Sequence, residues 1–236
     1  MDRDMNNRIR LASDAFGRLK KRVWKAHDLK LSTKIEVYKA VVLSTLLYGC
    51  EAWTCYRKHI KLLDRFHQNR LRQICGVGID WREKVPDTDI LDLCKTDGIE
   101  AFITRHRLRW AGHVVRMDDH RLPNKVFHSE LSKGVRKIGR PKLRYKDVVK
   151  STLERCHIPM KCLENQGTKD PAEKDRQRKI WKEAVTAGVK TFEQERIELA
   201  KVKRAARKER EANKQQQMQQ NQRSITNETK GQFLIK

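Results

Sequence analysis

IEAFITRHRLRWAGHVVRM (Ile99–Met117) is the stretch on which the fold turns. Ile103, His106, Trp110, His113, Val114 and Met117 recur at intervals of three and four, which puts them on one side of an α-helix. Arg105, Arg109 and Arg116 fall within about 40° of one another at ~100° per residue, on another side. Leu108 and Val115 widen the apolar arc, so the pattern predicts a largely buried helix with an arginine stripe outside. His106 and His113, on the apolar side, read as packed, hydrogen-bonded core histidines.

The same period runs upstream. Arg57–Cys75 carries Ile60, Leu63, Phe66, Leu71 and Ile74 and stops at Gly76. Leu31–Leu47 is apolar on several faces, which predicts a buried helix at the centre of an N-terminal unit. Thr33 and Glu36 stand before it as T-x-x-E, a capping box, and Gly49 closes it. Ile9, Ala12, Phe16, Leu19 and Val23 outline a first amphipathic helix. Thr88–Lys95, between Pro86 and Gly98, reads as a short one.

Downstream, SKGVRKIGRPK (132–142) has the glycines, proline and lysines of an exposed loop. A helix over Leu143–Cys156 turns Val148, Val149 and Leu153 inward. Asp170 and Pro171 form a helix start, Asp at the N-cap and Pro at the first helical position. That helix passes Ile180, Trp181 and Val185 and is expected to stop at Gly188. Lys190–Lys214 then makes a separate, mostly charged helix with a thin seam of Phe192, Leu199 and Val202. From residue 215, QQQMQQNQ and the remaining residues to the C-terminus have the composition of disordered chain. With no credible strand pattern, the expectation is an all-α protein. A multi-helix, bundle-like body (1–76 and 77–158) would lead into a basic helical extension (159–214) and a disordered tail (215–236).

Composition narrows the function. The 236 residues hold 54 Lys+Arg against 30 Asp+Glu, a formal +24, with 38% hydrophobic residues. The longest uncharged apolar run, Ala40–Cys50, is far short of the ~20 residues that span a bilayer. MDRDMNNRIR lacks the apolar core of a signal peptide, and six Cys without a secretory start read as reduced thiols. A nuclear or cytoplasmic location is expected. Half of the excess charge is concentrated: residues 131–150 carry a net +7 and residues 196–214 a net +5. Clustering of this kind is an electrostatic footprint for nucleic acid. Phosphate contacts are expected from Arg136, Lys137, Arg140, Lys142, Arg144 and Lys146 in and after the loop, and from Arg105, Arg109 and Arg116. Gly139-Arg140-Pro141 is also the centre of an AT-hook, which enters the minor groove of A·T-rich DNA, but Ile138 stands where the hook has Arg.

LLYGCEAW (46–53), RLRQICGV (70–77), RLRWAGHVVRMDDHRLPNKV (107–126) and GRPKLRYKDV (139–148) succeed one another in an order and spacing that carry a resemblance. KDRQRKIWKEAV (174–185) and FEQERIELAKVKRAARKER (192–210) continue it. Over roughly residues 8–210 the chain resembles the C-terminal part of a non-LTR (LINE-like) retrotransposon endonuclease/reverse transcriptase. The resemblance implies that 8–76 corresponds to the polymerase thumb and adjoining helices. It also implies that the remainder helps to hold template RNA and target DNA. The fingers, palm and endonuclease would lie before Met1.

Polymerase chemistry needs carboxylates on two Mg²⁺ ions, among them a pair of Asp on a β-hairpin. Asp118-Asp119 ends an amphipathic helix and reads as a helix-terminal cluster or a salt-bridge set for Arg116 and Arg121. No catalytic residue, metal or cofactor is therefore assigned. Cys50, Cys55, His59 and His67 give C-x4-C-x3-H-x7-H, and Cys156, His157 and Cys162 lack a fourth ligand; neither is a usual structural zinc spacing. Two other readings stay open beside nucleic-acid binding: a partner-binding or oligomerisation helix at 190–214, and a transposon remnant without a selected role.

Overall fold

The computed structural model describes residues 2–77, 85–129, 139, 142–168 and 170–233; at 171 and 220–233 it describes the backbone alone. No strand occurs among the described residues. The helices are α1 (Asp2–Arg18), α2 (Leu31–Val37), α3 (Ser44–Leu46), α4 (Arg57–Cys75), α5 (Asp87–Cys94), α6 (Ile99–Val115), α7 (Leu122–His128), α8 (Tyr145–Arg155), α9 (Met160–Glu164) and α10 (Pro171–Phe233). The chain is all-α, as its periodicity predicts.

Contacts divide it into two compact units, Met1–Glu193 and Gln194–Lys236. The division falls inside α10, away from the composition breaks at 76, 158 and 214. Packing beyond residue 158 accounts for this: Leu163, Trp181, Val185, Val189 and Phe192 are buried and belong to the core of the first unit.

That unit holds two apolar clusters. The first gathers Met5, Phe16, Trp24, Ile35, Tyr38, Leu46, Leu63, Leu71 and Ile90 from α1 to α5. The second gathers Leu108, Val114, Phe127, Val149, Leu153, Trp181 and Val185 from α6 to α10. Helix α6 belongs to both, giving Ile99 and Ile103 to the first and Ala101, Leu108, Ala111 and Val114 to the second. Burying one such Leu or Ile contributes roughly 1.5–3 kcal/mol.

Helix α4 begins and ends where its sequence predicts, with Gly76 at φ 69°. The stretch 31–47 is interrupted: Leu31–Val37 is α-helical, Tyr38–Leu43 is a π-helical turn, and Ser44–Leu46 is α-helical again. Gly49 takes φ 75°, the left-handed conformation that glycine adopts without a Cβ clash. The capping box does not form. The helix starts at Leu31 with Lys30 at its N-cap and no side-chain cap, so Thr33 already lies inside the first turn.

Helix α10 starts as expected, with the Ala172 N–H donating to Asp170 Oδ1 at 3.3 Å. It does not stop at Gly188. That glycine is a point of close approach to the end of α8: a Cβ there would lie 2.6 Å from the Cys156 carbonyl oxygen. The helix therefore continues through the expected break at 188–190. Phe192 is buried in the first unit, whereas Leu199 and Val202 are exposed, so the thin seam has no continuous apolar face. Backbone helix persists to Phe233, across the Gln-rich stretch whose composition predicts disorder. Every described side chain from 205 to 219 is exposed, so this part has intrinsic propensity but no buried face to stabilise it. Among the described residues no helix is long and apolar enough to cross a membrane.

Two polar ties fix α6. Gly98, its N-cap, donates its N–H to the buried Glu193 Oε1 at 2.8 Å, so α10 caps α6 from outside. Arg107 is buried, donating from Nη1 to Thr152 Oγ1 at 3.2 Å and from Nη2 to the Trp53 carbonyl at 3.1 Å.

Candidate nucleic-acid interface

Where α10 crosses α6 the helices approach unusually closely. A Cβ on Gly112 would lie 2.2 Å from Trp181 Nε1, so only glycine admits the indole, whose N–H donates to the Leu108 carbonyl at 3.2 Å. On the outer side of this contact runs a groove of about 630 Å³. Arg105 and Arg109 line it from α6 and Arg116 from its C-cap, Arg178 and Lys182 from α10, and the half-buried Trp110 lies among them. Five cationic side chains beside an aromatic face make a surface suited to phosphates and to a base or sugar packed on the ring.

The structure thus brings together Arg105, Arg109 and Arg116, but in different states. Arg109 is exposed. Arg105 pairs with Asp97 at 2.6 Å and lies over the Phe102 ring. Arg116 donates to Gln166 Oε1 at 2.6 Å. Burial, helped by the charge of nearby Arg178, lowers the Arg116 pKa from its usual range. Asp118 and Asp119 lie in the exposed turn beyond α6, and the described bond of Arg116 goes to Gln166.

The second predicted group divides. Arg136, Lys137 and Arg140 lie outside the described residues. Lys142 and Arg144 are exposed before α8, and Arg144 forms a bidentate pair with Asp147, donating from Nε at 2.9 Å and from Nη2 at 3.2 Å. Arg144 and Lys146 line a neighbouring apolar pocket with Leu122, Val126 and Trp110. Trp110 borders both this pocket and the groove, so its indole is the feature shared by the two sets of predicted residues.

The helical period places His106 and His113 in the core, and the structure corrects this: both are exposed on the groove. The buried arc of α6 runs through Thr104, Arg107, Leu108, Ala111 and Gly112, because α10 presses on the small residues. A Trp-and-His pattern outweighs an Ala-Gly pair in any apolar reading, and here the small pair marks the contact. Partial desolvation of the ring by the groove walls, with the charges of Arg109 and Arg105, lowers the His106 pKa against an opposing pull from Glu51. Arg178 and Lys182 are absent from the sequence-predicted set. Their signal is present, since Arg178, Trp181, Lys182 and Val185 stand at i, i+3, i+4 and i+7, a spacing that puts them on one face.

The zinc spacing does not assemble. His59 is engaged by Asp2 and by the Tyr56 N–H. His67 faces the Asp97 carbonyl at 3.2 Å, so its Nε2 donates there and its Nδ1 accepts from the Tyr38 hydroxyl at 2.9 Å.

Comparison with known proteins gives one relative of note. Over 152 residues the chain is 26% identical to an uncharacterized transposon-derived protein of Caenorhabditis elegans, covering 64% of this chain and 54% of the relative. The chain thus spans about half the length of the curated relative it matches. The likeness supports a transposon-related origin. No protein-family model matches the chain, and no solved structure matches it.

Proposed function

We propose that this chain is the nucleic-acid-binding C-terminal part of a non-LTR retrotransposon reverse transcriptase. In this reading it grips phosphates of template RNA, target DNA or their hybrid inside the cell and catalyses no reaction of its own. Five cations and Trp110 in the α6–α10 groove carry the proposal. Two things support it further: the order of motifs from Leu46 to Arg210, and the likeness to a transposon-derived protein. The basic second unit supplies additional non-specific attraction, with eight Lys/Arg against three acids over 196–214.

The test is binding to duplex DNA, single strands and RNA–DNA hybrid as a function of salt. Five phosphate contacts, with Arg105 exchanging Asp97 and Arg116 exchanging Gln166 for the ligand, predict a slope of log K against log salt near about −4.5, since each contributes roughly −0.9. Arg109→Ala and Lys182→Ala, both on exposed groove positions, should each flatten the slope by about 0.9 and weaken all sequences alike. Binding without salt dependence, or unmoved by either substitution, refutes the interface. DNA synthesis by this chain on a primed template with Mg²⁺ refutes the non-catalytic role.

A further inference from the structure

The turn Cys50–Ala52 packs against α6, and the packing brings three ligand types together. One ligand atom each from Cys50, Glu51 and His106 lie within 4.8 Å of one another. Among the described residues this is the one group of its kind. Cys50 is fully buried, Glu51 half-buried and His106 exposed, so the set runs from the core to the surface. Glu51 and His106 line both the basic groove and a second groove bordered by Lys39, Tyr48 and Phe102.

From this geometry we propose that Cys50 Sγ, a Glu51 carboxylate oxygen and a His106 ring nitrogen form a Zn²⁺ site whose fourth position opens onto the groove. Thiolate, imidazole and carboxylate together suit a borderline cation, and three protein ligands with one open position is a known zinc pattern. With Zn–S near 2.3 Å and Zn–N or Zn–O near 2.0–2.2 Å, tetrahedral ligand atoms stand about 3.3–3.8 Å apart. Side-chain movements of about 1 Å close the set, and Glu51 and His106 sit where solvent leaves room for them. On binding, the Cys50 S–H bond breaks, a Zn–S bond forms, and the proton passes to water. Thiolate and carboxylate together offset the charge of the dication, which matters beside Arg105, Arg107 and Arg109. A bound ion would fasten the Cys50–Ala52 turn to α6 at the groove's edge.

The experiment uses the full chain, stripped with a chelator and titrated with Co²⁺ as a spectroscopic stand-in, then with Zn²⁺ against a chromophoric competitor. One equivalent per chain is expected, with a thiolate-to-cobalt charge-transfer band and the intense visible bands of tetrahedral Co²⁺. Cys50→Ser should abolish the charge-transfer band. His106→Ala, at an exposed position that folding tolerates, should weaken binding by about a hundredfold or more, since losing even an outer partner of a ligand costs roughly 10–100-fold. Glu51→Gln should weaken it in the same direction. The Cys75→Ser, Cys94→Ser double variant should change nothing. The proposal is overturned by a wild-type spectrum without the band, by a band that survives Cys50→Ser or disappears in the double variant, or by affinity unmoved by His106→Ala. No nucleic acid is present in any of these measurements, so their failure is distinct from failure of the binding interface.

Discussion

Replacing Gly112 by Ala sets two effects of opposite sign against each other. In an exposed helix interior, Gly→Ala stabilises by roughly 0.8–1 kcal/mol because alanine loses less backbone entropy on folding. Here the new Cβ would meet Trp181 Nε1 at 2.2 Å, Cδ1 at 2.7 Å and Cε2 at 2.9 Å. Ordinary carbon contact lies near 3.5 Å, so the indole or α10 must retreat by about 1.3 Å. Trp181 is only 3% exposed and tied to the Leu108 carbonyl, so displacing it breaks buried packing and its hydrogen bond. Overpacking costs roughly 1–3 kcal/mol, and loss of the indole hydrogen bond about 1 kcal/mol more. After the helix gain is subtracted, Gly112→Ala should destabilise the first unit by about 1–3 kcal/mol. Gly17→Ala is the internal control: its added Cβ meets nothing within 4 Å, so it should stabilise by up to about 1 kcal/mol. Urea unfolding followed by far-ultraviolet circular dichroism measures both, and the difference in tryptophan fluorescence from a Trp181→Phe background isolates that indole among the five. Gly112→Ala that is neutral or stabilising would refute the close crossing of α6 and α10, and with it the geometry of the groove.

Other contacts set further outcomes. Glu100, whose side chain is 12% exposed, accepts from Arg57 at 3.0 Å and from Arg155 at 2.8 Å. Burial works to raise its pKa, but Arg155 and Arg57 outweigh it and hold the carboxyl below its ordinary value. Its contribution is therefore complete at neutral pH and lost as pH falls through the depressed value. Glu100→Gln should cost about 1–2 kcal/mol at pH 7 and progressively less as the pH falls through that depressed value; a gap that does not shrink in acid contradicts this. Among the thiols, hydrogen bonding from Cys94 at 3.1 Å lowers the Cys75 pKa, while burial pushes Cys55 up to about 11. Mass-spectrometric mapping of brief alkylation at neutral pH should find Cys75 modified well before Cys55; the reverse order is incompatible with the sulfur pairing. Finally, residues 1–193 should unfold cooperatively, whereas 1–158, lacking Trp181, Val185, Phe192 and Glu193, should show no cooperative transition in calorimetry. A stable 1–158 fragment would contradict the shared core.

Helix period and termini are legible wherever local chemistry decides them. Gly76 ends α4 because a left-handed residue is needed there, and Asp170-Pro171 starts α10 through a cap that forms within two residues. The rest is hidden because tertiary contacts decide it. Gly188 looks like a terminator in isolation, but the Cys156 carbonyl lying where its Cβ would stand makes it a packing residue. T-x-x-E looks like a capping box, yet the N-cap falls at Lys30, three residues earlier than Thr33. Angular spacing alone groups Arg105, Arg109 and Arg116 into the stripe that lines the groove. Its second wall, Arg178 and Lys182, comes from a helix far along the sequence, and no local period reveals which helix will lie alongside.

Because α6 supplies a wall to both apolar clusters, the groove has no hinge of its own. Arg105 and Arg109 project from a helix that cannot fray without exposing Ile103 on one side and Leu108 on the other. Any ligand held there is linked by mass action to the melting of the entire first unit, by RT ln(1 + [L]/Kd). For a ligand that binds this groove and not the unfolded chain, thermal shift is then a readout of occupancy, and the spacing of Arg105 and Arg109 is set by the same packing that holds the two clusters together.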